Sequence, residues 1–162
     1  MKTMIVIRGA MGVGKTQLCK TLSKTLENCF WLDGDWCWTM NPWNFSEENK
    51  TMVLSNIRHL LRNFLENSSS RFILFSWVLH DRAILADILD GLTEQSYNLR
   101  VVTLTCSKKA LTSKLQKRGR EDLIEKGIQY LSLYKEQDQE MLTLDTTELS
   151  PTEIQEKVLA AI

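Results

Sequence analysis

Hydrophobic residues fall along this chain in two kinds of block. Short continuous apolar runs, such as Met4-Ile5-Val6-Ile7, are separated by stretches in which apolar residues recur every three or four positions. The continuous runs predict strands covered on both faces, and the recurring pattern predicts amphipathic helices. On that basis a first strand spans Lys2 to Arg8. A helix follows from Lys15 to Glu27, with Leu18, Cys19, Leu22 and Leu26 on one face. Phe30-Trp31-Leu32 is a second strand ending at Asp33, and Asn41-Pro42-Trp43-Asn44 is a loop. Ser46 caps a long helix with the stripe Val53, Leu54, Ile57, Leu60, Leu61, Phe64 and Leu65.

After the polar connector Asn67-Ser68-Ser69-Ser70, Phe72-Ile73-Leu74-Phe75 is a third strand. Asp81 caps a short helix carrying Ile84, Leu85, Ile88 and Leu89, closed by Gly91. Val101-Val102-Thr103-Leu104 is a fourth strand. Ser107 opens a helix through Leu111 and Leu115 that runs into Lys117-Arg118-Gly119-Arg120, and another helix spans Glu121 to Gln137. Leu142-Thr143-Leu144 is a fifth strand. Ser150-Pro151-Thr152-Glu153 combines a capping box with proline at the first helical position and opens a last helix through Ile154, Val158, Leu159 and Ile162. Strands alternating with helices predict an α/β protein, a three-layer α/β/α fold on a five-stranded parallel sheet. Such sheets bind ligands at the carboxyl ends of their strands.

One rim of that sheet carries the chemistry. Gly9-Ala10-Met11-Gly12-Val13-Gly14-Lys15-Thr16 is a complete G-x-x-x-x-G-K-[ST] phosphate loop between a strand and a helix. Its backbone N–H groups and the helix N-terminus favour a polyphosphate. Lys15 is expected to reach the β- and γ-phosphates and Thr16 to ligate Mg²⁺, with Gln17 completing the nucleotide-binding set. Asp33-Gly34-Asp35 follows the second strand. One carboxylate, Asp33, suits the metal, and the other, Asp35, suits the proton of a substrate hydroxyl; a plain turn is the alternative.

Trp36, Trp38, Trp43 and Phe45 crowd the following segment, either as a local satellite core or as the wall of an acceptor pocket. Arg82 is a candidate facing the acceptor. Lys114, Lys117, Arg118 and Arg120 could close over the triphosphate, or could answer the dipole of a helix C-terminus. The two arginines are the better candidates because guanidinium forks suit phosphate. Thr146 and Thr147 could meet the nucleotide base. The third strand ends in Ser76, so the acid of a switch-type ATPase is missing there.

Composition narrows the class. With 20 acidic and 20 basic residues, the zero net charge gives no sign of a nucleic-acid surface. No apolar stretch is long enough to span a membrane. The phosphate loop begins at residue 9, so a signal peptide ahead of it is not expected. Cys19, Cys29, Cys37 and Cys106 lack C-x-x-C spacing, as reduced cytoplasmic thiols would.

Taken together, the N-terminal phosphate loop, Asp33-Gly34-Asp35, the Arg118/Arg120 segment and Leu144-Asp145-Thr146-Thr147 before the last helix resemble the P-loop small-molecule kinases of the shikimate- and gluconate-kinase type. The chain is also similar to the tunicamycin-resistance and chloramphenicol-phosphotransferase branch, most of all from Phe72 to Lys117. The resemblance implies a P-loop fold of the nucleoside monophosphate kinase type over residues 1–162, with a short lid at about 117–121. It implies ATP and Mg²⁺, a small-molecule hydroxyl acceptor, and a monomer or homodimer. By that resemblance Lys15, Asp35, Arg118 and Arg120 are catalytic, Arg118 and residues 9–17 hold nucleotide, and Asp35 faces the acceptor. The short lid sets the chain apart from nucleotide kinases proper. A switch-type GTPase is excluded because N-K-x-D and D-x-x-G are absent. A nucleotide kinase, a non-catalytic ATP-binding module and an ATPase acting on a protein partner are the alternatives.

Overall fold

The computed structural model describes residues 1–135 and 142–162. In chain order the elements are β1 (Lys2–Gly9), α1 (Lys15–Thr25), β2 (Cys29–Asp33), a 3₁₀ turn (Gly34–Trp38), α2 (Glu47–Glu66), β3 (Phe72–Trp77) and α3 (Arg82–Asp90). They continue as β4 (Tyr97–Thr105), α4 (Lys108–Lys117), a 3₁₀ turn (Glu121–Leu123), α5 (Ile124–Lys135), β5 (Leu142–Asp145) and α6 (Pro151–Leu159). Among the described residues the strands form one parallel sheet of five, in the order β2-β3-β1-β4-β5. The expected three-layer α/β/α architecture is therefore present.

Strand periodicity divides the core between the two faces. In β1, Ile5 and Ile7 pack with Leu18 and Leu22 of α1 and Leu111 and Leu115 of α4. Met4 and Val6 point the other way, toward Val53, Ile57 and Leu61 of α2 and Leu85 and Ile88 of α3. This period of two is what a continuous apolar run means in a strand covered on both sides. One polar side chain interrupts the run: Arg8 is fully buried, and its Nε donates to Thr103 Oγ1 at 2.8 Å, across the β1–β4 ladder.

Helix starts follow the expected caps. Ser46 accepts from the Asn49 N–H, Asp81 from the Ala83 N–H and Ser107 from the Ala110 N–H, and Ser150 with Glu153 forms the capping box. Some boundaries differ. Helix α1 ends at Thr25 rather than Glu27, and Asn28 then takes a left-handed φ of 56°. Strand β3 continues through Ser76 and Trp77, and β4 begins four residues early, at Tyr97. Gly91 does close α3, but with φ −68°, not in the left-handed form expected of a glycine cap. Its lack of a side chain makes room for Arg58, whose Cδ lies 2.7 Å from where a Cβ would stand. The helix expected from Glu121 begins as a 3₁₀ turn, and Gln137 lies outside the described residues.

Candidate active site

The phosphate loop joins β1 to α1 at the carboxyl rim of the sheet, and its geometry is one that glycine permits. Gly14 caps α1 with φ 120° and Gly12 has φ 80°, both in the region that side chains avoid. A Cβ on Gly12 would also stand 2.6 Å from Leu115, so α4 packs directly beneath the loop. Lys15 folds over it, and its Nζ donates to the carbonyls of Gly9 at 2.8 Å and Ala10 at 3.0 Å. Burial lowers the Lys15 pKa to about 8, against the opposing pull of Asp35 and Asp33.

Asp33 ends β2 in register with Ser76 of β3. Its two oxygens are divided: Oδ1 accepts from the Asp35 N–H at 3.1 Å, and Oδ2 faces the Thr16 hydroxyl at 3.5 Å. Burial raises the Asp33 pKa, and the neighbouring Asp35 carboxylate adds to the rise. Ser76 accepts from Trp31 Nε1 at 3.0 Å. The carboxylate missing from the end of β3 thus stands one strand over, on β2, within reach of Thr16. Among the described residues no group of three or more His, Cys, Asp or Glu comes together to hold a metal ion. A cation at Thr16 and Asp33 would draw its remaining oxygens from phosphate and water.

The 3₁₀ turn carries Asp35 to the surface beside the loop. Trp77 Nε1, at the end of β3, donates to Asp35 Oδ1 at 3.1 Å. Gly34 fits beneath the Trp77 ring, where a Cβ would lie 2.5 Å from it. Asp35 and Trp77 open onto a cleft of about 620 Å³, whose walls include Met11 of the phosphate loop, Trp38, Trp43, Phe45, Leu79, His80 and Tyr130. Trp43 and Phe45 stack at 5.6 Å with an interplanar angle of 11°, and Trp38 leans on both. His80 stacks on Tyr130 at 4.4 Å, and burial lowers its pKa.

A second, smaller groove of about 190 Å³ lies on the other side of the loop, lined by Gly14, Gln17, Lys114, Arg118, Leu149, Pro151 and Ile154 among others. Lys114 Nζ bridges the Val13 carbonyl at 3.4 Å and Thr146 Oγ1 at 3.3 Å. Thr146 is buried and its hydroxyl also donates to the Thr105 carbonyl, while Thr147 Oγ1 accepts from the Ser107 N–H at 2.8 Å. Helix α4 is capped by Arg118 and followed by Gly119, whose φ is 64°. The Gly119 N–H bonds the Gln116 carbonyl and the Arg120 N–H bonds that of Leu115, a Schellman stop that sets where Arg118 points.

The structure therefore brings most of the expected residues to the rim, but not all to the cleft. Trp36 is turned away and packs its ring on Trp31 at 4.9 Å, outside the cleft wall. Arg82 is exposed at the start of α3 and is absent from that wall, although its charge acts on Arg8. Arg120 is exposed and paired with Asp122 at 3.0 and 3.1 Å, so Arg118 alone of the two lid arginines lines a groove. Conversely, Trp77, His80, Lys126 and Tyr130 line the cleft without having been picked out from the sequence. Trp77 and His80 could have been found from their place just past the apolar core of β3. Nothing local marks Lys126 and Tyr130.

The loop, the parallel order β2-β3-β1-β4-β5 and the rim site define a kinase-like P-loop fold. The chain belongs to the AAA domain family, whose model matches residues 5–141. Similar solved structures include a gluconokinase from Sinorhizobium meliloti 1021, 16% identical with a TM-score of 0.71, the match covering 98% of this chain and 90% of that one. The Deinococcus radiodurans tunicamycin resistance protein is 21% identical with a TM-score of 0.72, covering 99% and 95%. Shikimate kinase from Acinetobacter baumannii, in complex with shikimate, is 18% identical with a TM-score of 0.65, covering 99% and 92%. No curated protein sequence matches the chain. No described helix is long and apolar enough to cross a membrane.

Proposed function

We propose that this protein transfers the γ-phosphate of ATP to a hydroxyl of a small molecule seated in the 620 Å³ cleft. The observation that carries this reading is the position of Asp35. Its charge acts on Lys15 of the phosphate loop, and its carboxylate lines the cleft. Met11, inside the loop, lines the same cleft, so the two binding regions meet at that point.

The residues divide the work. The loop amides and Lys15 hold the β- and γ-phosphates, and Arg118 with Gln17 flanks the nucleotide in the second groove. A hydroxyl and a carboxylate are hard oxygen ligands that suit Mg²⁺, so Thr16 and Asp33 would hold that ion. When bound, it neutralises charge on the phosphate oxygens. Asp35 accepts the proton as the acceptor oxygen bonds to the γ-phosphorus and the bond to the β-phosphate oxygen breaks, releasing ADP. Trp77 fixes the direction of the Asp35 carboxylate. A nucleoside monophosphate acceptor has less support, because no arginine among the described residues lines the cleft to meet its phosphate.

The test is ADP formation from Mg·ATP against hydroxyl compounds and nucleoside monophosphates, with Asp35→Ala as the control. Acceptor-dependent turnover lost in the variant supports the reading. Tight ATP binding without acceptor-dependent ADP formation would replace it with a binding module or an ATPase that acts on a protein partner.

A further inference from the structure

The cleft beside Asp35 has a composition that selects its occupant. Its polar side chains, Asp35, Glu47, Lys50, Thr51, His80 and Lys126, are a minority of the lining. Trp38, Trp43 and Phe45 form one wall, and Trp77, Tyr130 and Leu79 contribute to the rest. No arginine is among the described residues that line it. Two lysines line it, and one of them is paired with a carboxylate. Lys50 pairs with Glu47 at 2.6 Å and lies 4.3 Å from the Phe45 ring centre, and Lys126 lies 5.7 Å from the Tyr130 ring centre.

A carboxylic acid or a phosphate ester needs a fixed cation, best a guanidinium fork, to offset its desolvation. A polyol needs a polar partner for each hydroxyl it buries. This cleft offers neither in quantity. It offers flat apolar faces, which suit a ring, and two carboxylates, of which Glu47 is paired with Lys50 and Asp35 is left to meet one hydroxyl. Its volume of about 620 Å³ is that of a small-molecule site.

We infer that the ligand of this cleft is an uncharged alcohol carried on a flat, ring-bearing body, with its hydroxyl at Asp35 and its ring between the Trp38–Trp43–Phe45 wall and Tyr130. The inference rests on the phosphotransferase reading for the identity of the ligand as acceptor, and it narrows that acceptor away from sugar acids and open-chain polyols.

Binding and transfer separate the two claims. Tryptophan fluorescence of the full chain with Mg·ADP would be titrated with thymidine, pyridoxine and 1-phenyl-1,3-propanediol, and with gluconate, shikimate and sorbitol. Saturable quenching by at least one ring-bearing alcohol, tighter than by any of the last three, is expected. Trp43 and Phe45 are largely exposed, at 62% and 56%, so the double variant Trp43→Ser/Phe45→Ser should fold. In that variant the ring alcohol should bind about tenfold more weakly, with Mg·ADP affinity unchanged. The inference is overturned if none of the three ring alcohols binds, if gluconate, shikimate or sorbitol binds more tightly, or if the double variant binds the ring alcohol as the parent does. A ring alcohol that binds but never receives phosphate from Mg·ATP sustains the inference about the cleft and removes the kinase reading. Transfer to gluconate or sorbitol in preference to every ring alcohol does the reverse.

Discussion

Trp77 Nε1 donates a hydrogen bond to Asp35 Oδ1 at 3.1 Å, joining the end of β3 to the turn that follows β2. The indole is a fixed donor on a strand end, so it holds the carboxylate in one direction. Trp77→Phe keeps the ring and removes the donor. In the proposed reaction this should lower kcat about tenfold, with the KM for ATP nearly unchanged. Equal losses in kcat and in ATP affinity would assign Trp77 to the loop instead.

Gly34 tests the same contact from below. A methyl group there would stand 2.5 Å from the Trp77 ring. Gly34→Ala should displace the indole and reproduce most of the Trp77→Phe defect. The two substitutions together should cost little more than one alone, because both act through one contact. Additive losses in a double-mutant cycle would show that they act separately.

Lys15 gives a pH signature. Burial lowers its pKa to about 8 in the free protein, and bound phosphate oxygens should raise it again. Binding of ATP then takes up a proton once the pH exceeds about 8. Affinity should stay level below that pH and fall above it, by up to tenfold per unit. Calorimetry in buffers of different ionisation enthalpy measures the proton uptake directly.

The same shift costs stability. The folded pKa lies below the ordinary value of 10.5, so the folded state without nucleotide disfavours the charged amine. Its stability should rise with pH from about 8 toward about 10 as the unfolded chain alone holds the proton. Lys15→Met should stabilise the protein by about 1–2 kcal/mol at pH 7 while abolishing ATP binding. Urea unfolding and nucleotide titration of the variant check both halves.

Arg8 offers a test of the core. Thr103→Val keeps the shape of its partner and deletes the acceptor that meets Arg8 Nε at 2.8 Å. The loss at a buried charged group should destabilise the fold by about 1.5–3 kcal/mol, read as a lower urea midpoint at unchanged slope. A shift below about 0.5 kcal/mol would mean that the guanidinium finds another acceptor at little cost.

What the sequence made legible follows from how local each signal is. The phosphate loop, the caps at Ser46, Asp81, Ser107 and Ser150, and the five strands are each written within a few adjacent residues. The extra length of β4 was hidden because Tyr97 to Arg100 are only partly covered and lack a continuous apolar run. The extension of β3 was hidden because Ser76 is satisfied by Trp31, a residue 45 positions away. The aromatic segment pointed to the cleft, yet nearness in sequence misled for Trp36. The 3₁₀ turn sends neighbouring side chains to different sides, and Trp36 lands on Trp31. Tyr130 and Lys126 come from α5, and only the packing of that helix against the loop brings them to the site.

The carbonyl oxygen of Val78 receives two hydrogen bonds, one from the Gly9 N–H at 3.4 Å and one from the Tyr134 hydroxyl. One atom thus rivets the mouth of the phosphate loop, the exit of β3 and helix α5 to a common point. A compound that prised α5 from the sheet would therefore unseat the loop from behind. It would weaken nucleotide binding without occupying the nucleotide's own site, and bound nucleotide would weaken the compound by the same factor.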